Sequence, residues 1–375
     1  MDLLACRKEL DTIDSQIVEL FEKRMEICGN VARSKIESGK AVLDAEREKQ
    51  KIASVREMAH GEFNQQAVQE LFTQMMTISR RFQYGLLAEH GRTIELGFEK
   101  VDEISKDGVR VVHQGVEGAY SHAATLMYFG SDADIHHVYS FEDAMREVME
   151  GTSDYAVLPI ENSSAGAVID NYDLLMKYQV HIVAEIFLPV NNYLLGHPDA
   201  ELSDIRTVYS HPQALMQCSE YLGAHKEWQQ IKWVNTAVAA QKVMEDGDKT
   251  QAAVAGEIAG TLYGLKTLAA NIQNNQGNTT RFIVVAKDAI YRKDAAKITI
   301  SFDLPHRSGT LYNMLSTFIF NGVNLRMIES RPIPGRNWEY RFFIDIEGNL
   351  DEPRISNALT AISQEAQNLR ILGNY

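Results

Sequence analysis

LLACRKELDTIDSQIVELFEKRMEICGNVARSKIESG, residues 3–39, decides the reading of this chain. Apolar residues recur at Leu3, Leu10, Ile13, Ile17, Leu20, Phe21, Ile27, Val31 and Ile36. That spacing is helical rather than alternating. Only Gly29 interrupts the run, and Gly39 supplies a stop. At 1.5 Å per residue the helix is about 55 Å long. It cannot bury its stripe on itself, so it needs partners, a second copy of the chain among them.

The basic residues sharpen this. Arg24 and Lys35 stand three turns apart, so they point the same way, about 16 Å apart along the axis. Arg7 lies about 25 Å before Arg24 and is turned by about 100°. If Arg7 and Arg24 serve one small ligand, Arg7 must come from a neighbouring subunit.

The 375 residues allow two or three domains. Hydrophobic content of 45% and charged content of 23% are those of an ordinary globular protein. A net charge of −14 argues against nucleic acid and anionic membrane as partners. Anionic ligands must then be drawn by local cationic clusters. No apolar run approaches a membrane span, and the N-terminus lacks a signal-peptide core. Cys6, Cys28 and Cys218 show no metal-binding spacing and read as free thiols. A cytoplasmic location is expected.

Working outward, helices are expected from about Asp44 to Met58 and Asn64 to His90, making residues 1–90 one helical domain. A linker is expected over 91–108. From Val109 short β-rich runs alternate with helical stretches, which predicts a two-lobed α/β domain over 109–288 with a cleft. Strands are expected at 109–113, 136–139, 155–158, 180–183, 207–209, 231–234, 252–255 and 282–286. Residues 296–375 read strand, helix, strand, strand, helix, strand, the ferredoxin-like α+β order of small regulatory modules.

In the helical domain Arg47 and Glu48 follow Asp44 by three and four residues, and Ser79 and Gln83 are an i, i+4 pair. With Arg24, Lys35 and Arg7 they make a cage for a small dicarboxylate, arginine being suited to bidentate carboxylate binding. No nucleophile–base pair stands with them.

Arg7, Arg24, Lys35, Asp44, Arg47, Glu48, Ser79 and Gln83 resemble, in order and spacing, the helical chorismate mutases. The resemblance implies an intertwined helical dimer in which the partner chain donates Arg7. Arg7, Arg24 and Arg47 would position the carboxylates, and Ser79 would help. Lys35 and Gln83 would bond the ether oxygen as it gains charge, and Glu48 with Asp44 would hold the ring hydroxyl. Lys35, Glu48 and Gln83 would thus be catalytic through orientation and electrostatics.

Four motifs mark the middle region: Gly115–His122, Glu161–Gly166, Ser210–Gln213 and Thr279–Phe282. The first opens a helix, where backbone N–H groups favour anions, but it lacks the dinucleotide-binding spacing. Together they resemble prephenate dehydratase, which converts prephenate to phenylpyruvate, carbon dioxide and water. The resemblance implies that Thr280 acts on the leaving hydroxyl and that Ser121, Glu161, Asn162, Ser210 and Gln213 line the prephenate cleft. Arg281 is either a carboxylate binder there or part of an ion pair within the lobe. His122 and His211 are acids or structural hydrogen-bonders. Aromatisation supplies the driving force, so no cofactor and no metal are expected. Val116 stands where that family usually has proline.

Ser308–Leu311 and Glu329–Pro332 resemble the two effector motifs of the ACT domain in this family. The resemblance implies that Gly309, Thr310, Leu311, Glu329 and Ser330 bind L-phenylalanine, commonly between paired modules. Ser308-Gly309-Thr310 stands where Pro-Gly-Ala is common. The chain as a whole resembles the bifunctional chorismate mutase–prephenate dehydratases of phenylalanine synthesis, feedback-regulated homodimers or larger homo-oligomers. Two rival readings stay open: a dehydratase whose helices are only a dimerisation arm, and a two-lobed solute-binding module with an amino-acid sensor.

Overall fold

The computed structural model describes residues 2–91, 96–307 and 309–375. Two compact units share the chain. One runs to Gly97 and takes up Ala296–Ile371; the other is Phe98–Ala295 with Leu372–Tyr375.

In the first unit α1 (Leu3–Ser38) starts where the Asp2 carboxylate accepts the Leu4 N–H at 3.0 Å. It stops at Gly39, whose φ of 72° is left-handed. Asp44 caps α2 (Ala45–Met58) by accepting the Arg47 N–H at 3.0 Å. Gly61 precedes α3 (Glu62–Glu89). Both α1 and α2 pack on α3. Gly29 faces α3 in this packing: a Cβ there would sit 3.4 Å from the Phe82 ring, in ordinary van der Waals contact. The stripe of α1 is nevertheless largely bare. Leu3, Leu10, Ile13, Ile17, Leu20, Ile27 and Val31 are 41–67% exposed within the single chain.

The second unit has two lobes. Its first-lobe sheet is ordered β6 (His181–Pro189), β12 (Thr279–Ala286), β4 (Tyr155–Asn162), β2 (Arg110–Gln114), β3 (Asp134–Val138), with β5 (Gly166–Ala167) beside β4. Helices α4 (Tyr120–Phe129), α5 (Phe141–Glu150) and α6 (Ile169–Lys177) complete this lobe. The second-lobe sheet is ordered β11 (Lys266–Ala269), β7 (Tyr193–Gly196), β10 (Gln251–Ala255), β8 (Thr207–Ser210), β9 (Gln229–Lys232). Around it lie α7 (Pro212–Gln217), α8 (Ser219–Ala224), α9 (Thr236–Asp246) and α10 (Glu257–Tyr263). Each lobe has its own apolar core, one around Val111, Val157 and Val284, the other around Val208, Leu215 and Val254. The chain enters the second lobe after β6 and returns through β12, so β12 is the natural seam for a cleft.

Differences from expectation are local. β1 (Glu99–Val101) lies in the expected linker and pairs in parallel with β13 (Ile290–Arg292). Its three residues are too few to show a period. β9 ends at Lys232, and Val234 is exposed.

The rest of the first unit alternates β14 (Lys297–Leu304), α11 (Thr310–Phe320), β15 (Leu325–Pro332), β16 (Tyr340–Glu347), α12 (Pro353–Glu365) and β17 (Gln367–Asn374). The sheet order is β15-β16-β14-β17. Helix α12 lies against α3, with Ala361 buried beside Val42, Tyr84 and Leu87.

Candidate active sites

In the helical region α3 gathers what α1 and α2 bring. Arg24 Nη1 donates to Ser79 Oγ and, at 3.3 Å, to the Met75 carbonyl. Gln83 lies one turn further on, buried, and its amide N–H donates to the Ser79 carbonyl at 3.2 Å. Its Oε1 is buried with no partner. A buried unmet acceptor is costly in a finished core, and a site awaiting a ligand is one reason for it; a half-turn of the amide presents N–H there instead. Lys35 Nζ donates to the Val42 carbonyl at 2.6 Å, which leaves two of its protons for other partners. Burial pulls the Lys35 ammonium below its usual range, while nearby Asp44 and Glu48 oppose this.

Glu48 faces Arg80, a residue that sequence reasoning passed over. Arg80 Nη1 reaches Glu48 Oε1 at 2.7 Å and Oε2 at 2.5 Å, and its Nε reaches Glu365 Oε1 at 2.8 Å. Arg80 is 7% exposed. Burial alone would lower its pKa, yet Glu365 and Glu48 outweigh that and hold it above its ordinary value. The available signal was an arginine adjacent to Ser79, which a hunt for ligand-binding cations could have flagged. Arg7 and Arg47 are exposed, and no side-chain hydrogen bond is described for either. The structure therefore brings Arg24, Ser79 and Gln83 together, and Lys35 with Asp44 and Glu48. Arg7 lies 17 residues before Arg24 on the same helix, about 25 Å along its axis.

In the second unit Thr280 and Asn162 are paired across β12 and β4. The Asn162 amide N–H donates to Thr280 Oγ1 at 2.9 Å and to Asn278 Oδ1 at 2.9 Å. Its Oδ1 accepts the N–H groups of Ser164 and Ala165 at 3.0 and 2.9 Å. Those backbone donors fix which end of the amide is which. Thr280 Oγ1 is thus an acceptor toward Asn162, and its own proton is free to be given elsewhere.

Arg281, next along the strand, points to the other face. It is 7% exposed, with Nε on Glu185 Oε2 at 2.8 Å, Nη2 donating to the Tyr375 hydroxyl at 2.7 Å, and Nη1 3.7 Å from Glu161 Oε2. Of its two readings, this geometry is that of the ion pair. Ser121 Oγ donates to the Gln114 carbonyl at 2.5 Å, and Ser210 Oγ to the Val254 carbonyl at 2.6 Å. Gln213 is exposed at the start of α7. His122 Nδ1 accepts the Gly118 N–H at 3.0 Å, and His211 Nδ1 the Gln213 N–H at 3.2 Å. Both histidines thus hold turns.

Sequence reasoning also missed the amide-rich segment 271–278, although its composition is plain: NIQNNQGN. It ties the lobes together. The Asn274 N–H donates to the Gln217 carbonyl at 2.7 Å, and the Asn275 amide to Ser164 Oγ at 3.3 Å. The Gln273 amide oxygen accepts the Asn192 N–H at 2.9 Å. Tyr120 adds to the junction by donating its hydroxyl to the Asn191 carbonyl at 2.8 Å. Gly118, with φ 83°, lies so close to α10 that a Cβ would come within 3.3 Å of Ala259 Cα.

In the C-terminal part a groove of about 320 Å³ is lined by Gly309, Thr310, Leu311, Tyr312, Trp338 and Phe342 among others. Glu329 and Ser330 lie on β15 opposite Phe343 and Phe342 and do not line it. Ser308 falls outside the described residues.

Two candidate sites of different chemistry thus share the chain: a charged cage, and a neutral hydroxyl–amide pair at a seam between lobes. Comparison with known proteins gives two families. Chorismate mutase type II matches residues 6–84, and prephenate dehydratase matches residues 111–290. The bifunctional chorismate mutase/prephenate dehydratase of Enterobacter agglomerans is 32% identical over 380 residues, covering 100% of this chain and 95% of the relative. That of Aquifex aeolicus is 31% identical over 379 residues, covering 100% and 98%. The crystal structure of prephenate dehydratase in complex with L-Phe from Arthrobacter aurescens is 31% identical. It has a TM-score of 0.66 and covers 71% of this chain and 89% of that one. The chain belongs to the family of bifunctional chorismate mutase/prephenate dehydratases.

Proposed function

We propose that this enzyme rearranges chorismate to prephenate within its helical bundle. It then converts prephenate to phenylpyruvate, carbon dioxide and water in the two-lobed domain. The observation that carries the first half is the convergence on α3 of Arg24, from α1, with Ser79 and Gln83. Arg24 and Arg47 hold the substrate carboxylates together with Arg7 of a second chain. Lys35 and Gln83 stabilise the ether oxygen as the bond breaks, and Glu48, with Asp44, accepts from the ring hydroxyl. The bare apolar stripe of α1 supports a homodimer whose long helices cover one another.

In the second site Thr280 donates its free proton to the departing hydroxyl and takes one back from solvent water. As the carboxylate leaves as carbon dioxide, its electron pair moves into the ring, the C–O bond breaks, and water departs. Asn162 positions Thr280, and Ser121, Glu161, Ser210 and Gln213 shape the cleft, with Arg281 bracing it. The C-terminal module, an ACT domain over 296–375, takes L-phenylalanine in the groove at the start of α11. There Gly309 offers a backbone N–H group to a carboxylate, and Leu311, Trp338 and Phe342 face the ring. Glu329 and Ser330 reach a ligand only across a pair of modules. Residues 1–90, 109–288 and 296–375 are the three functional modules, and the enzyme works in the cytoplasm with its three thiols reduced. No helix among the described residues is long and apolar enough to cross a membrane.

The test gives purified protein chorismate and prephenate separately and follows phenylpyruvate with and without L-phenylalanine. Turnover of both substrates, slowed by the amino acid, is expected. Turnover of prephenate alone would reduce the helices to a dimerisation arm.

A further inference from the structure

Helix α12 touches the mutase cage twice with adjacent residues. Glu365 holds Arg80 Nε at 2.8 Å while the same guanidinium holds both oxygens of Glu48. The Gln364 side-chain oxygen accepts the Val42 N–H at 3.2 Å, and the carbonyl of Val42 takes the Lys35 ammonium at 2.6 Å. Each contact sits one residue away from a group proposed to meet chorismate. Both lie beside the apolar cluster that joins Ala361 to Val42, Tyr84 and Leu87. Burial, then Glu365, raises the pKa of the Tyr84 hydroxyl, so the phenol stays neutral beside the three charges.

We propose that Arg80 is a positioning residue of the mutase, anchored by Glu365, so that the C-terminal module completes the geometry of the chorismate site. The inference rests on the mutase reading above. An arginine gripping both oxygens of Glu48 holds that carboxylate in one orientation, as an acceptor for a hydroxyl. Arg80 cannot take up that orientation by itself, because a long buried side chain with one carboxylate partner has other rotamers. Glu365 removes them by fixing Nε. The outcome is a carboxylate–guanidinium–carboxylate line running from the cage into α12.

The full-length Arg80→Met, Arg80→Lys and Glu365→Gln variants, with the double variant Arg80→Met/Glu365→Gln, test this. Chorismate turnover is measured as kcat and KM, and prephenate turnover beside it. Arg80→Met should lower mutase kcat/KM at least tenfold, because Glu48 then loses the guanidinium that orients it. Arg80→Lys should restore part of the rate but not all of it, since an ammonium supplies the charge and lacks the fork. Glu365→Gln should lower kcat/KM three- to tenfold and have no further effect in the Arg80→Met background. Dehydration of added prephenate should stay within twofold throughout.

Wild-type mutase rates in these variants would overturn the proposal. So would additive losses in the double variant, or parallel loss of both activities in Glu365→Gln. If wild-type protein fails to turn over chorismate, the mutase reading itself falls. That result is distinct from variants that merely match an active wild type.

Discussion

The helical cage and the two-lobed cleft solve the placement of polar groups in opposite ways. The cage uses long charged side chains on helix faces, and part of it is open: Arg7 and Arg47 are exposed, and an oxygen of Gln83 has no partner. The cleft uses a threonine and an asparagine locked across two strands, with both ends of the amide already assigned. A pericyclic rearrangement needs a shaped field around a flexible dianion, and long cations can close on it from several sides. An elimination needs one proton at one place, and short side chains on strands hold it there. On the proposed reading, the difference teaches that the first site depends on assembly and the second on the sheet.

The largest effect that would break this contrast is at Thr280. Thr280→Ala should lower the dehydratase rate on prephenate by at least about 100-fold, as expected for loss of a proton donor, and spare chorismate turnover. Phenylpyruvate release from each substrate measures it, and an undiminished rate removes Thr280 from the chemistry. Lys35→Ala should do the reverse, costing the mutase about 100-fold and leaving added prephenate untouched. Equal loss of both activities would mean the sites are not separate. A stability effect comes next. Gly118→Ala places a Cβ at φ 83° against α10 and should cost about 1–3 kcal/mol, read from denaturant unfolding.

The smallest effect is in acid. His113 is fully buried, stacked 5.1 Å from His122, and burial holds its pKa down at about 4 against an ordinary 6.5. Below 6.5 the unfolded chain binds a proton that the folded chain refuses until about 4, so stability falls as pH drops through that window. Between pH 6.5 and 5.5 the loss should be roughly 1 kcal/mol, a few degrees in Tm. His113→Phe should flatten that slope, and an unchanged slope would assign it to other groups.

Much of this was legible because periodicity and punctuation are local. Gly39, Asp44 and Gly61 bound the helices by their backbone preferences. β7, β11 and α10 were not foreseen, since segments of four to seven residues carry too little pattern to separate from loops. At the sites, the resemblance of two short motifs to prephenate dehydratase pointed to Thr280 and Asn162, but the ion pair and hydroxyl contact of Arg281 depended on Glu185 and Tyr375, 96 and 94 residues away. Arg80 could be flagged as a cation beside Ser79, but its bridge was illegible for the same reason: its second carboxylate lies 285 residues further on.

The shared mutase site is tested most directly by mixing two inactive proteins. Arg7→Ala and Lys35→Ala variants are each purified, combined under conditions that exchange subunits, and assayed on chorismate. A hybrid dimer holds one intact site, with Arg7 from one chain and Lys35 from the other, so random exchange should restore about a quarter of wild-type activity. A mixture no more active than the mean of its two components would contradict a site built by two chains.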